Sequence, residues 1–427
     1  MLLRQKVHQF LHWQYRDLTI LIGITLVGAI LRAYHLGYKP FWFDEALIFG
    51  IAQDPISEIV SRDTQIYSGP PLLLILIGLI SHLGKSEELL RGIPWLAGVL
   101  SIPAMYLLGR QYLSRGGALI AALIIAIAPT QIEYSQKMSE YSLSVLLAIL
   151  MLFSFGLFLE KSSWRRAGLL GTVIVVSIFT QYGLAFLILA LNGVMLIHLL
   201  RDRGGRKDLL VKWIAIQGVA LVAVFVVYRL SLGAQWEGHR GLSHVSSGYW
   251  DGGTLFSALR FAYYGSRDII KFAYPGYVFT LLLYTGAVVL IYLHWRSTLI
   301  LLIGLPFIVV IGAGLLRLYP YIGMRQDIFL TPLIYLVAAL SFDYLLRFDL
   351  KRIFLGVFLF LLVWRAIPAL SFYYGHAGNS GVGMIVEHLS RIAQPGDPIF
   401  ICGSDPVTQY YFEVRFPMEQ NTIIEAI

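Results

Sequence analysis

The sequence predicts an all-α polytopic membrane protein with about eleven transmembrane helices. Three observations predict it. Hydrophobic residues make up 57% of the 427 and charged residues only 14%, against roughly 25% charged in a soluble domain. Apolar runs recur at about the 20-residue length that a hydrocarbon core demands of a helix. The Lys and Arg residues of the short loops gather on alternate loops, hence on one side. This composition excludes a soluble globular enzyme, a disordered chain and a nucleic-acid-binding module. The net charge of +8 then reports orientation rather than a polyanionic partner. Cys402 is the single cysteine, which rules out an intrachain disulfide and a Cys-based zinc site.

The runs expected to span are 18–36, 93–108, 118–130, 141–159, 167–180, 183–200, 211–232, 276–293, 298–318, 328–346 and 353–372. The first follows a basic stretch, 1–17, and has no small-residue cleavage site after it, so it reads as a retained span. The run 71–83 is too short to span and is expected to lie as a juxtamembrane helix. With it kept out of the count, Arg110, Arg115, Lys161, Arg165, Arg166, Arg201, Arg203, Arg206, Lys207 and Lys212 all share the N-terminal side. The rule that cations stay inside then puts the N-terminus in the cytoplasm and the C-terminus outside it. Three long segments, 37–92, 233–274 and 373–427, fall on the outer side with most of the carboxylates. Function is expected there. The chain divides into a transmembrane domain, 1–372, with its first outer loop at 37–92, and a small extracytoplasmic segment, 373–427. In that segment 384–393 reads as a helix, Gln394-Pro-Gly-Asp-Pro as a turn, 398–402 as a strand and 406–413 as a helix. This is half of an α/β unit, too small for its own core.

Phe41-Trp-Phe-Asp44-Glu45 is the sharpest local signal. Two adjacent carboxylates follow three aromatics just after the first span. On composition alone this is an aromatic belt with solvated acids at a helix start. The functional reading is a general base at the membrane surface, its pKa raised by apolar surroundings.

The order of motifs around this pair resembles the membrane glycosyltransferases of the GT-C superfamily. It is most similar to the bacterial branch of protein O-mannosyltransferases and lipid A aminoarabinose transferases, the family 39, dolichyl-phosphate-mannose mannosyltransferase-like group. The resemblance rests on Arg32-Ala-Tyr-His-Leu-Gly, Trp42-Phe-Asp44-Glu45, Pro70-Pro71-Leu72, the acidic turn Ser86-Glu-Glu-Leu-Leu-Arg91-Gly-Ile-Pro94, and Tyr106 to Arg110. Pro129, Tyr134-Ser-Gln136 and Tyr141-Ser-Leu continue it, and Gly323-Met-Arg325-Gln-Asp327 with Pro332 closes it. Its detailed part covers about the first 200 residues. Gly69 stands where the family often has His before Pro-Pro, and Ser139 where it usually has Arg. Both departures touch positions near donor or acceptor, so the resemblance does not carry a substrate.

The resemblance implies transfer of a sugar from a polyprenyl-phosphate donor to an acceptor hydroxyl of a protein, lipid or glycan at the outer face of a bacterial plasma membrane. Asp44 would be the general base, with Glu45 holding it or helping to bind a metal. Arg325 is the first candidate for the donor phosphate, with Lys137 and Arg91 next. Glu133 and Glu140 flank the turn after the third span, where an acidic residue serves metal or acceptor in some relatives. A divalent metal is left open, because one Asp-Glu pair is not a full ligand set.

Other features carry less. Tyr263, Tyr264, Tyr319 and Tyr321 suit an interfacial belt better than sugar stacking. His239 and His244 have no third ligand nearby. Gly84-Lys85-Ser86 lacks the earlier glycine of a phosphate loop, since Leu79 stands there. The basic run 201–212 needs only the membrane to explain it. A transporter or flippase for lipid-linked sugars is the alternative from another class. It predicts ionisable groups in mid-span and repeated halves, and neither is visible. A non-catalytic binder of lipid-linked glycans is the third reading.

Overall fold

The computed structural model describes residues 15–61, 69–201, 206–232, 248–294, 297–345, 351–375, 382–394, 396–402, 406–415 and 422–426. His239, His244 and most of the loop before residue 248 lie outside these. Helices dominate. The chain opens with α1 (Tyr15–Ala33), then a long loop carrying α2 (Phe43–Ala52), α3 (Ile56–Ser61), α4 (Leu72–Ser81) and α5 (Glu87–Leu90). There follow α6 (Gly92–Tyr112), α7 (Arg115–Ile127), α8 (Pro129–Ser135), α9 (Tyr141–Glu160), α10 (Trp164–Ile178), α11 (Leu184–Arg201) and α12 (Arg206–Val227). Then come α13 (Leu255–Ala273), α14 (Tyr277–His294), α15 (Thr298–Leu315), a 3₁₀ turn at Arg325–Leu330, α16 (Thr331–Leu345) and α17 (Lys351–Gly375). The last part holds α18 (Val382–Ile392), β1 (Pro398–Cys402), α19 (Pro406–Gln409), a π turn at Tyr410–Arg415 and β2 (Thr422–Ala426).

Among the described residues, eight helical stretches are long and apolar enough to cross a membrane, or nine if the bent pair α7–α8 is one span. Among the described residues each of the eleven expected runs falls mainly on helix, but two of those helices fall short of this test. Helix α1 carries Arg16, Asp17 and Arg32, and α10 has only 15 residues. Helix α4 has 10 residues. At 1.5 Å per residue it covers about half of a 30 Å hydrocarbon core.

The bend of 56° between α7 and α8 has a plain cause. Pro129 has no N–H to give the carbonyl of Ile125, and its ring opens the turn before it. Two freed carbonyls, Ile125 O and Ala126 O, instead accept from the Arg32 guanidinium, each at 2.8 Å. Arg32 also donates to Gly28 O and Ser135 Oγ. It is fully buried, because the broken helix supplies the acceptors a buried guanidinium needs. Sequence reasoning treated Arg32 only as part of a motif; it is a structural cap.

Two apolar cores result. The larger runs through the long helices. The smaller joins Phe41, Phe49, Leu73 and Leu74 of the first long loop to Val386, Val407, Tyr410 and Tyr411 of the last segment. The C-terminal piece therefore shares its core with the first loop, as its size demands. Strand β1 falls on its expected residues, 398–402. It pairs in parallel with β2, from Pro398 opposite Thr422 to Cys402 opposite Ala426. Strand β2 was not anticipated, since a short run of mixed polarity gives no clear period.

Candidate active site

Helix α2 begins at Phe43, with Trp42 as its extended cap residue. Asp44 and Glu45 thus lie in its first turn, where carboxylates are favoured by the helix dipole. Successive helical positions diverge, so the two side chains meet different surroundings.

Glu45 points inward and is 4% exposed. Its Oε1 accepts from Arg91 Nε at 2.9 Å and from the Met138 N–H at 2.7 Å. Its Oε2 accepts from Arg91 Nη2 at 2.8 Å and from the Trp42 N–H at 3.0 Å. Burial alone would raise this carboxyl's pKa; the Arg91 charge and these bonds outweigh it and hold the group below the usual carboxylate range. Arg91 is equally committed. Nη1 donates to Leu36 O at 2.9 Å and Lys39 O at 2.8 Å, and Nη2 reaches Pro40 O at 3.4 Å. Its guanidinium lies over the Phe41 ring. The first long loop is wound around one buried ion pair.

The expectation that Arg91 grips a donor phosphate therefore needs correction. Its side chain is 2% exposed and its N–H groups face Glu45 and three loop carbonyls. The same holds for Glu45 as a metal ligand, because four donors already occupy its two oxygens. Among the described residues, no group of three His, Cys, Asp or Glu side chains is placed to hold a metal ion.

Asp44 points the other way. Its Oδ2 accepts from Arg325 Nη1 at 2.5 Å, and the two side chains are 41% and 40% exposed. Arg325 opens the 3₁₀ turn after Gly323, which takes φ +64°. A Cβ on Gly323 would come within 2.2 Å of the Ile269 backbone nitrogen, so only glycine fits there. Asp327 accepts from the N–H groups of Ile322 and Gly323 at 3.1 and 2.9 Å. Tyr319 Oη donates to Gln326 O at 2.7 Å. These contacts present the Arg325 guanidinium to Asp44 from a rigid turn. Tyr321 is buried at 1% and bonded to Ser266 at 2.9 Å, so it belongs to the core and not to an exposed belt.

The turn from α8 to α9 forms the other side. Arg325 lies over the Tyr141 ring at 5.8 Å, and Tyr141 meets Tyr134 edge to face. Glu140, at the start of α9, has its pKa raised by burial; the Arg325 charge opposes this and the Asp44 charge adds to it. Two carboxylates thus share the field of one guanidinium. Glu133 and Lys137 pair at 2.6 Å across one helical turn, with the ammonium 5.0 Å from the Tyr134 ring centre.

Lys39 was not singled out in the sequence. Its ammonium lies 3.4 Å over the Tyr373 ring and donates to Tyr373 O. Burial lowers its pKa to about 8; Lys137 and Arg91 push the same way and Glu133 opposes them. Its signal in the sequence was a lone cation just before Pro40-Phe-Trp-Phe-Asp44. Nothing in that signal tells an active-site lysine from a snorkelling one.

The dolichyl-phosphate-mannose-protein mannosyltransferase family model matches residues 68–230, which is under half of the chain. No curated protein matches the chain. Solved structures do. The oligosaccharyltransferase AglB from Archaeoglobus fulgidus, in complex with an inhibitory peptide and a dolichol-phosphate, superposes with a TM-score of 0.60 at 13% identity. That match covers 96% of this chain but 64% of AglB; the chain is shorter than this relative by about a third. ArnT from Cupriavidus metallidurans, bound to undecaprenyl phosphate, gives a TM-score of 0.58 at 15% identity, covering 94% of this chain and 85% of ArnT. The chain therefore has the GT-C fold, the fold of these membrane glycosyltransferases.

Proposed function

We propose that the chain is a glycosyltransferase that moves a sugar from a polyprenyl-phosphate donor to an acceptor hydroxyl. The observation that carries this reading is the half-exposed Asp44–Arg325 pair, held beside the buried Glu45–Arg91 pair. Asp44 takes the acceptor's proton as its oxygen attacks the anomeric carbon. The new C–O bond forms as the bond from that carbon to the phosphate oxygen breaks. The electron pair leaves with the polyprenyl phosphate. Arg325 meets the charge that grows on that phosphate, with Lys39 and Lys137 as further cations. Glu45 and Arg91 position the helix that bears Asp44. Glu140 and Glu133 line the acceptor side. An in-line attack of this kind inverts the anomeric carbon.

We infer that the site lies on the outer face. We infer eleven crossings: α1, α6, the bent pair α7–α8, α9, α10, α11, α12, α14, α15, α16 and α17. This returns the N-terminus to the cytoplasm and the C-terminus to the outside of a bacterial plasma membrane, with the cations of the short loops inside. Residues 1–372 form the membrane domain and 373–427 the outer segment. ArnT bound to undecaprenyl phosphate and AglB bound to dolichol-phosphate support a polyprenyl-linked donor.

The test is release of polyprenyl phosphate by the reconstituted protein from a panel of polyprenyl-phosphate sugars, with Asp44→Asn beside it. Acceptor-dependent release by the wild type is expected, lowered in the variant by roughly 10²–10⁴, the worth of a general base. No release from any donor, or equal release by both proteins, rejects the proposal and favours transport or binding of lipid-linked sugars.

A further inference from the structure

Helix α13 presents three faces. One is buried: Gly265, Ile269 and Ala273 face the protein. Gly265 lies so close to Tyr321 that a Cβ would come within 2.4 Å of its ring, and Ser266 Oγ and Tyr321 Oη lie 2.9 Å apart. The next face is apolar and open. Leu255 is 77% exposed, Phe256 75%, and Leu259 and Tyr263 each 60%. Leu255, Leu259 and Tyr263 recur every four residues and so line up along the helix, with Phe256 beside them. The third face, beside that stripe, is cationic: Arg260, Arg267 and Lys271 lie within about one turn's quarter of each other.

Two of these cations are ordered by one ring. The guanidinium carbons of Arg260 and Arg267 sit 5.4 and 4.7 Å from the Tyr264 ring centre. Stacking of this kind holds a guanidinium by its flat face and leaves its N–H edge for an anion. Asp268 pairs with Arg267 at 2.8 Å and approaches Lys271 at 3.9 Å, so it offsets part of the charge. Among the described residues, Arg260 has no carboxylate partner.

We propose that α13 is a membrane-surface helix whose Arg260–Tyr264–Arg267 ladder binds the phosphate headgroups of anionic phospholipids, with its apolar stripe in the bilayer. The charge is complementary to such a surface. A strongly amphipathic helix with cations along its apolar stripe is built to lie in the interface plane. The membrane helix α14 starts at Tyr277, just past the end of α13 at Ala273, which holds α13 at headgroup depth. The opposite, buried side of the same helix backs the Arg325 turn, since Gly323 abuts the backbone of Asp268 and Ile269. Lipid bound on one side of α13 therefore steadies the base of the Arg325 turn on the other.

The test uses the full chain in nanodiscs of phosphatidylcholine with a rising share of phosphatidylglycerol. Amide hydrogen exchange is followed over residues 255–273. Exchange there is expected to slow as phosphatidylglycerol rises. In Arg267→Gln and in the double variant Arg260→Gln/Arg267→Gln, the share needed for half of this effect rises roughly fivefold per cation removed, while exchange in α9 and α16 stays unchanged. Lys271→Gln, at the exposed end of the ridge, gives a smaller shift in the same direction. Equal exchange in neutral and anionic discs overturns the proposal, as does an equal midpoint in all variants. So does full protection by inorganic phosphate in neutral discs, which makes this a free-anion site. Protection by trace polyprenyl phosphate but not by phosphatidylglycerol would assign the ladder to the donor.

Discussion

Asp44 and Glu45 sit side by side in the chain, yet one is 41% exposed and the other is buried under four hydrogen bonds. Substitution should separate their roles. Asp44→Asn keeps the shape and is expected to leave the thermal midpoint in detergent near the wild type, while turnover falls by roughly 10²–10⁴. Glu45→Ala strands a buried guanidinium. It should cost about 3–5 kcal/mol, seen as a lower midpoint and loss of the folded protein. Equal destabilisation by both variants would undo the assignment of Asp44 as base and Glu45 as anchor. Lys39 supplies a pH signature. Its pKa is lowered to about 8, so its positive charge is present below that pH and lost as pH rises through it. Donor affinity is expected to fall along an alkaline limb centred near 8. In Lys39→Arg that limb should move beyond the measured range, because a guanidinium does not deprotonate there. A limb that stays in place would remove Lys39 from the phosphate site.

At the scale of elements, the 3₁₀ turn and the C-terminal segment do the positioning. Gly323→Ala meets both a left-handed φ and the Ile269 backbone. It is expected to lower turnover more than it raises the Michaelis constant for donor, because it displaces Arg325 from the charge that grows on the phosphate only as the bond breaks. Steady-state kinetics in nanodiscs would show this; an unchanged turnover would make the turn a passive linker. Tyr411 Oη accepts from the Phe41 N–H at 2.9 Å and bonds Glu87 Oε1 at 3.1 Å. Tyr411→Phe should therefore cost about 1–3 kcal/mol and speed exchange of the Phe41 amide. The helices themselves were legible in the sequence, because apolar run length is set by bilayer thickness. Pro129 and Arg32 show what was not. The bend needed Pro129, which was read only as part of a motif. The use of Arg32 to satisfy the opened carbonyls needed the packing of α1 against α7. Asp44 was legible as a candidate from its place after the first span. The pairing of Arg91 with Glu45 was not legible, because a cation and a carboxylate 46 positions apart look like separate ligands until their mutual contact is known. Lys39 had no period, partner or motif to mark it.

For the molecule as a whole, the two cores meet at the site. The long helices supply the Arg325 turn and the α8–α9 turn, and the smaller core supplies α2 with Asp44. The C-terminal segment is part of that smaller core, so it should not behave as a detachable tail. A stop after Gly375 is expected to expose Phe41, Phe49 and Leu74, to raise protease cleavage within 43–90, and to abolish transfer. Full activity of the shortened chain would show that the first loop holds its shape alone.

Arg325 serves one carboxylate in the structure and, in the proposed reaction, one phosphate. A single fork cannot fully satisfy both. Until a donor arrives, the proton acceptor is occupied by its own counter-ion, and a stray water or alcohol meets a blunted base. The arriving phosphate draws the fork away and leaves Asp44 free beside the sugar it is to move. Such a latch would make donor the compulsory first substrate. Product-inhibition patterns should then show polyprenyl phosphate competing with donor alone, and a random pattern would mean that the latch does not exist.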